Sequence, residues 1–284
     1  MAEQAPAMSD QEIARYQLMA DSALRAERES WIHAGARPGA GVADVGCGTG
    51  AVAQRLAQLV LPGGRVHAVD RDRRALAAAR ASTADQGLPV ETVIAPAHDT
   101  GLPEGAFDLV MMRHVLAHNG GAEQRIVDHL ASLARPGGCV YLAETDLTML
   151  RFRGPADPAS FDLQNRYMEL LLRRGCDLGV GLHLDELLTA AGLELVDFQG
   201  RVEIAELPSS RYGPAWAARE ALLAEGLVSE TELAGWERSF ERHERHAHRL
   251  LPRTVFVPLF TAYARRPRPR GRPPAPGRAP SPRR

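Results

Sequence analysis

The chain has 284 residues, of which 45% are hydrophobic, enough to build a substantial core in one large domain. No apolar run approaches the ~18 residues that a membrane span requires, and the acidic residues near the amino terminus are not typical of a signal peptide. We therefore expect a cytoplasmic protein without a membrane partner.

All 34 basic residues are arginine. The absence of lysine excludes Schiff-base chemistry with pyridoxal phosphate, a Walker A phosphate loop and any lysine general base. Cys47, Cys139 and Cys176 are odd in number and lie far apart. They predict neither a disulfide framework nor a zinc site, so we expect reduced thiols.

The charge is unevenly distributed along the chain. Residues 265–284 contain eight arginines, seven prolines and no acidic residue, which leaves a formal charge of −9 on the remainder. This tail has too few apolar groups to offset the entropy of ordering, and we predict that it is disordered. The acidic body is poorly suited to a phosphate backbone, so we expect no nucleic-acid partner.

Short apolar runs alternate with helical patterns between about residues 42 and 146, which is typical of βαβ units and a parallel sheet. The predicted strands of this part span residues 42–45, 65–70, 90–95, 107–112 and 139–143. The turn at Arg135-Pro136-Gly137-Gly138 is expected to precede the fifth of them.

Beyond residue 150 the pattern is looser. We predict helices over residues 160–174, 184–191 and 214–250, and strands over residues 193–202 and 254–263. Pro258 favours an edge or bulged position for the last strand. The predicted organisation is a helical lid (1–35), a ligand-binding core (36–150), the rest of the sheet with inserted substrate-pocket helices (151–264) and the tail (265–284).

The sharpest motif is Asp44-Val45-Gly46-Cys47-Gly48-Thr49-Gly50, between the first strand and the following helix. Alternate glycines let the backbone turn tightly and let a ligand approach closely. Dinucleotide loops have the spacing G-x-G-x-x-G and bind a pyrophosphate, whereas here G-x-G-x-G follows an acidic residue. An acid would repel phosphate but suits a cationic ligand with an amino group, such as S-adenosylmethionine.

Asp70 ends the second strand, where a carboxylate can accept hydrogen bonds from both hydroxyls of a ribose. The alternative is that Asp70 only caps the next helix.

Four motifs occur in order: D-V-G-C-G-T-G, V-H-A-V-D, G-L-P-E-G-A-F-D-L-V and L-A-R-P-G-G. Together they span about residues 40 to 145, and this part of the chain resembles the class I S-adenosylmethionine-dependent methyltransferases. The resemblance implies a Rossmann-like α/β three-layer sandwich, with a seven-stranded mixed sheet in the order 3-2-1-4-5-7-6. It further implies that strand 7 is antiparallel and that added helices form a lid.

The resemblance also implies roles for single residues. Gly46, Gly48 and Gly50 would face the methionine part of the cofactor, with Asp44 near its amino group. Asp70 would hold the ribose, with its neighbour Arg71 also at the cofactor. Tyr16, on the amino-terminal helix, is a possible lid over the cofactor.

Two further cofactor contacts are inferred from the family pattern, and this chain departs from the pattern at the first of them. Relatives have an acidic residue before Ala after strand 3 to contact adenine, but here Pro96 stands at the acidic position. Either Asp99 or the backbone of Ala97 and His98 would then contact the base. Arg113 lies where relatives contact the methionine carboxylate, which an arginine can pair in fork geometry; otherwise it covers the sheet end.

The sulfonium already activates the methyl group, so the protein mainly needs to align the acceptor and exclude water. His114 and His118 follow strand 4 and are candidate bases, of which we prefer His118; the alternative is that both are polar lid residues. Asp146 is a second candidate base. His243, His246 and His248 are more typical of a solvated helix face, and we predict no required metal.

The acceptor is inferred by elimination. The N-P-P-Y loop of relatives that methylate nucleobase amino groups is missing after strand 4. We expect a small organic acceptor of secondary metabolism, methylated on oxygen, nitrogen or carbon by direct displacement, and an enzyme that is a monomer or homodimer. The alternatives are a protein that binds S-adenosylmethionine in a cyclase-type or regulatory role, and an NAD-dependent oxidoreductase, which the glycine spacing disfavours.

Overall fold

The computed structural model describes residues 8, 10–153, 158–206, 213–246 and 254–269. The predicted disorder of the tail therefore concerns residues that lie mostly outside the described part, as does His248. The helices are α1 (Asp10–Ala34), α2 (Ala51–Val60), α3 (Arg73–Asp85), α4 (Glu123–Leu133), α5 (Pro158–Arg173), α6 (Leu184–Ala190), α7 (Pro214–Ala217), α8 (Arg219–Ala224) and α9 (Glu230–His246). The strands are β1 (Gly41–Val45), β2 (Arg65–Asp70), β3 (Val90–Ile94), β4 (Phe107–Arg113), β5 (Ala134–Thr145), β6 (Arg151–Arg153), β7 (Glu194–Glu206) and β8 (Thr254–Arg265).

The eight strands form one mixed sheet. Strands β3, β2, β1, β4 and β5 are neighbours in that order and run parallel. Strand β8 pairs antiparallel with β5 on one side and with β7 on the other. With β7 and β8 as the sixth and seventh strands of the expected sheet, the order 3-2-1-4-5-7-6 and the antiparallel last strand are confirmed.

The short strand β6 was not predicted, and it explains the position of Pro258. Strand β5 ends opposite Leu259, and β6 begins opposite Phe256 on the same side of β8. Pro258 falls in the gap between them, where its carbonyl accepts a hydrogen bond of 3.0 Å from the Asp146 N–H. The expected edge position is wrong, because β8 is central and Pro258 pairs with Val202 of β7, but the missing proline N–H is on the other side, which faces the gap between β5 and β6.

Two predicted boundaries also need correction. The Arg135–Gly138 turn lies inside β5, where the register to β4 shifts between Phe107 and Leu109 and the extra residues form a bulge. The single helix predicted over residues 214–250 is broken, within its described part, into α7, α8 and α9. Gly226, with a φ of +66°, follows α8 and allows the chain to turn there.

Three buried apolar clusters hold the fold together. One face of the sheet packs on α4 and α6 through Val110, Ile126 and Leu130, among others. The other packs on α1 and α2 through Trp31 and Leu56. The third cluster joins the inserted helices to one another, and its aromatic members are Tyr167, Trp216, Trp236 and Phe240. None of the described helices is long and apolar enough to cross a bilayer.

Candidate active site

The candidate site lies at the carboxyl ends of β1, β2 and β4. Strands β1 and β4 are adjacent, although β2 and β3 separate them in the chain. The strand order therefore reverses between them, and their following loops diverge. A crevice at such a reversal is where open α/β sheets bind ligands.

The three loop glycines all have positive φ but different surroundings. A Cβ on Gly46 (φ +78°) would overlap the Val115 side chain, and one on Gly50 (φ +71°) would lie 2.8 Å from the Cβ of Ala79. A Cβ on Gly48 (φ +53°) would have no described atom within 4 Å. The sequence assigned all three to the ligand, but Gly46 and Gly50 also serve close packing, and Gly48 adjoins open space.

Asp70 connects the glycine loop to the next helix. Its carboxylate accepts a hydrogen bond of 2.8 Å from the Gly48 N–H and one of 2.9 Å from the Asp72 N–H. The helix cap of α3 is Asp72, which accepts from the Arg74 N–H. Asp70 is thus not the cap, and each of its oxygens retains a lone pair for a ligand hydroxyl.

Asp44 is only 2% exposed, and its Oδ2 atom has no hydrogen-bond partner among the described residues. Burial raises the pKa of Asp44 from 3.8 to about 7, with Asp70 adding to the rise and Arg113 opposing it. A buried carboxylate oxygen without a donor is costly. A cationic ligand at this point would supply the missing donor.

Arg113 makes an ion pair with Glu27 of α1, and the Arg113 side chain is 8% exposed. The same Glu27 pairs with Arg201 of β7 and accepts hydrogen bonds from Tyr141 (2.7 Å) and Trp31 (3.1 Å). Burial acts to raise the pKa of Glu27, but its arginines and Tyr141 outweigh burial and lower it. Arg113 is therefore held by the protein itself, beside Asp44, and does not simply cover the sheet end.

His114 and His118, the two candidate bases, have different environments. His114 has a φ of +55°, and burial with the nearby Arg113 lowers its pKa from 6.5 to about 3. His118 is in the 3₁₀ turn Leu116–His118, and its Nδ1 atom lies 3.3 Å from the Tyr167 hydroxyl of α5. Desolvation and the positive charge of Arg71 lower the pKa of His118, so it is neutral at physiological pH.

A cleft of about 320 Å³ opens beside His118. Arg71, Tyr167 and Arg174 line it together with apolar side chains of α5. Gly120 also lines it, and a Cβ there would overlap the backbone of residues 174–176. Arg71, assigned from the sequence to the cofactor, thus shares a cleft with the candidate base.

Sequence reasoning missed Glu144, which fixes the His118 turn. Its buried carboxylate accepts hydrogen bonds of 2.6 Å from the N–H groups of both Val115 and Leu116. Burial raises the pKa of Glu144 to about 7, against the opposing effect of these N–H groups. An acid two residues before a predicted base candidate, at the end of a buried strand, was the only signal that could have indicated it.

The remaining sequence candidates are dispersed around this site. Ala97, His98 and Asp99 form the loop after β3, next to the end of β2, where Ala95 donates to the Asp70 carbonyl. Tyr16 of α1 is close enough to Tyr167 to contribute to the raised pKa of that phenol. Asp146 caps a 3₁₀ turn through Thr148. In the described part of the chain no cluster of His, Cys, Asp and Glu is arranged to hold a metal.

These features fit S-adenosylmethionine. The unpartnered Asp44 oxygen suits the ammonium of the methionine part, and the space beside Gly48 admits a ligand close to the backbone. Asp70 can still accept the ribose hydroxyls. Whether Arg113 also contacts the methionine carboxylate stays a prediction, since its described partner is Glu27.

Comparison with known proteins identifies the family of the chain. A methyltransferase-domain family matches residues 42–138. A ubiquinone biosynthesis O-methyltransferase of Xanthomonas axonopodis pv. citri is 30% identical over 187 residues, which cover 63% of this chain and 73% of the relative. An uncharacterised 37.1 kDa transposon protein of Streptomyces fradiae is 30% identical over 178 residues, 62% of this chain but only 50% of that protein.

Among solved structures, the [4+2]-cyclase SpnF is similar with a TM-score of 0.53 and 21% identity, over 89% of this chain and 82% of that one. At this identity the likeness shows a shared fold. The family match, the Xanthomonas relative and the glycine loop with its two aspartates carry the assignment. The chain belongs to the class I S-adenosylmethionine-dependent methyltransferases, with S-adenosylmethionine as its cofactor.

Proposed function

We propose that this methyltransferase transfers the methyl group to a hydroxyl of a small organic acceptor bound in the cleft beside His118. The observation that carries the proposal is the contact between His118 and Tyr167 at the cleft wall. Val115, at the start of the same turn, packs against Gly46 of the glycine loop. The cleft is thereby next to the cofactor loop, and the curated relative named an O-methyltransferase favours oxygen as the methylated atom.

The proposed role of His118 is to remove the proton of the acceptor hydroxyl. Burial raises the pKa of Tyr167 to about 12, so the phenol stays protonated at neutral pH. For Nε2 of His118 to accept a proton, the Nδ1–H must donate to the Tyr167 oxygen, which fixes both the tautomer and the ring plane. Tyr167 is then a positioning residue, and His118 the base.

S-adenosylmethionine supplies a methyl group that is already activated for displacement. The chain's own contribution is alignment: Asp44 binds the amino group, Asp70 binds the ribose, and Glu144 holds the turn that presents His118. Positioning of two reactants is a large part of what such a site can supply.

The test uses labelled S-adenosylmethionine, a fractionated metabolite extract and two variants, His118→Gln and Tyr167→Phe. We expect His118→Gln to lower turnover by roughly 10²-fold or more, and Tyr167→Phe to lower it less. Both should bind S-adenosylhomocysteine like the parent in calorimetry. His33→Gln, an exposed histidine on α1, is the matched control. If His118→Gln turns over like the parent, His118 is not the base. If the label is found on nitrogen or carbon of the product, the acceptor group is not a hydroxyl.

One alternative has a specific observation in its favour. The similar fold of a [4+2]-cyclase shows that this architecture does not by itself dictate methyl transfer. The same extract experiment separates the two functions, because a cyclase would consume and isomerise a compound without moving label from the cofactor.

A further inference from the structure

Two cationic side chains, Arg71 and Arg174, line the His118 cleft beside the neutral ring of His118. No acidic residue lines the cleft in the described part of the chain. The residues before the tail carry a formal charge of −9, so the cleft lining is opposite in sign to the body as a whole. A cationic wall inside an acidic body concentrates positive potential at one place and favours an anionic ligand there.

The two arginines differ in what they already bind. Arg174 pairs with Glu225 at 2.8 Å, so its charge is largely compensated. Arg71 makes no hydrogen bond or ion pair with any described residue, yet it lines the cleft and its charge reaches His118. Its five N–H donors are available to a planar anion.

The cleft also has an apolar side. Leu170, Leu171 and Ala218 line it with the ring of Tyr167. A volume of about 320 Å³ is at the small end of the range for ligand sites. Such a cleft suits a compact, flat acceptor with one charged end.

We propose that the methyl acceptor is a small carboxylate, and that Arg71 is the specificity-determining residue that binds the carboxylate while the acceptor hydroxyl faces His118. This inference rests on the proposed function, since it assigns the acceptor to the same cleft. It replaces the expectation that Arg71 serves the cofactor. Arg71 follows Asp70 directly, so one strand end would place the ribose on one side and the acceptor on the other.

The test measures binding and does not depend on turnover. Full-length protein saturated with S-adenosylhomocysteine is titrated with benzoate, and separately with benzyl alcohol as a neutral analogue of the same size. The ring resonances of His118, assigned with His118→Gln, report occupancy by NMR. We expect saturable binding of benzoate and at least tenfold weaker binding of benzyl alcohol, because a charge-assisted bidentate pair is lost.

Arg71→Gln should lower the affinity for benzoate by about tenfold or more and leave the affinity for S-adenosylhomocysteine unchanged. Arg71→Lys should keep part of the affinity, since it keeps the charge but loses the fork. Arg73→Gln, an exposed arginine two positions along and outside the cleft lining, is the charge-matched control.

Equal affinity for the two probes, no benzoate binding at millimolar concentrations, or undiminished benzoate binding by Arg71→Gln would each overturn the inference. If Arg71→Gln loses affinity for S-adenosylhomocysteine, Arg71 binds the cofactor, and the inference is likewise overturned. The proposed function fails separately, through absence of label transfer by a protein that binds both benzoate and S-adenosylhomocysteine.

Discussion

At the scale of single residues, Asp44 carries an energetic cost that a ligand would relieve. Its carboxyl is buried without a hydrogen bond to Oδ2, and its pKa lies near 7 in the absence of ligand. Pairing with an ammonium group would lower that pKa. Cofactor binding near neutral pH should therefore release protons, and affinity should rise as the pH increases through 7.

The first prediction concerns Asp44→Asn. The folded pKa lies above the ordinary value of 3.8, so the parent loses stability as the pH rises from about 4 to 7. The amide does not ionise, and the variant should be more stable than the parent above pH 7 by a few kcal/mol at most, with little difference near pH 4. Urea unfolding at both ends of this pH range measures the effect.

The same variant should bind S-adenosylhomocysteine about 10- to 100-fold more weakly, because a charge-assisted hydrogen bond is lost. Asp85→Asn, at the exposed end of α3, is the control for both measurements. Undiminished affinity in Asp44→Asn would show that Asp44 does not bind the amino group.

The glycine loop and its two aspartates were predictable because their spacing is local. Asp44, Gly48 and Asp70 lie within one βαβ unit, and the fold of such a unit follows from its pattern. Glu27 and Glu144 were not predictable, since their partners are brought close only by the tertiary fold. Glu27 contacts Tyr141 and Arg201, which lie 114 and 174 residues further along the chain.

At the scale of elements, the burial of α1 changes along its length. Trp31 and Glu27, near its carboxyl end, are fully or almost fully buried against the sheet. Nearer its amino end, Leu18 is 70% exposed, while Tyr16 lies near Tyr167 of α5. The carboxyl-terminal part of α1 thus belongs to the core, and a lid formed by the amino-terminal part stays a prediction.

The second prediction tests how α1 is anchored. Glu27→Gln leaves the buried Arg113 without its counter-charge and Arg201 with Glu203 alone, and we expect a loss of about 3–5 kcal/mol in the free energy of unfolding. Asp21→Asn, on the same helix, removes a more exposed ion pair with Arg55 and should cost less than about 1 kcal/mol. Similar small losses for both variants in urea denaturation would show that the Glu27 cluster does not anchor α1.

At the scale of the whole molecule, the parallel part of the sheet was predictable from the sequence pattern, whereas the arrangement of the inserted helices was not. The alternation of strands with helices predicts βαβ units and parallel strands, whereas the strand order and the antiparallel last strand followed from the resemblance to class I methyltransferases. The helices α5, α7, α8 and α9 instead bury their aromatic residues against one another. Their arrangement depends on packing between distant segments, which periodicity alone does not determine.

The third prediction concerns where the folded unit ends. Arg266, beyond the predicted boundary at residue 264, exchanges backbone hydrogen bonds of 2.8 Å with the bulge of β5, and its guanidinium donates to the carbonyls of Ser132 and Ala134. A chain ending after Ala264 should be less stable than one ending after Pro269 by about 2 kcal/mol or more. Equal denaturation midpoints for the two truncations would contradict this.

Gly120 brings two distant parts of the chain together at the cleft beside His118. Here two stretches of main chain touch directly, since no side chain separates the loop after β4 from the end of α5. A Cβ at this position would lie 2.4 to 2.6 Å from main-chain atoms of residues 174–176, so any larger residue would force the loop after β4 or the segment after α5 to shift. A substitution at Gly120 would therefore alter the shape of the cleft beside His118.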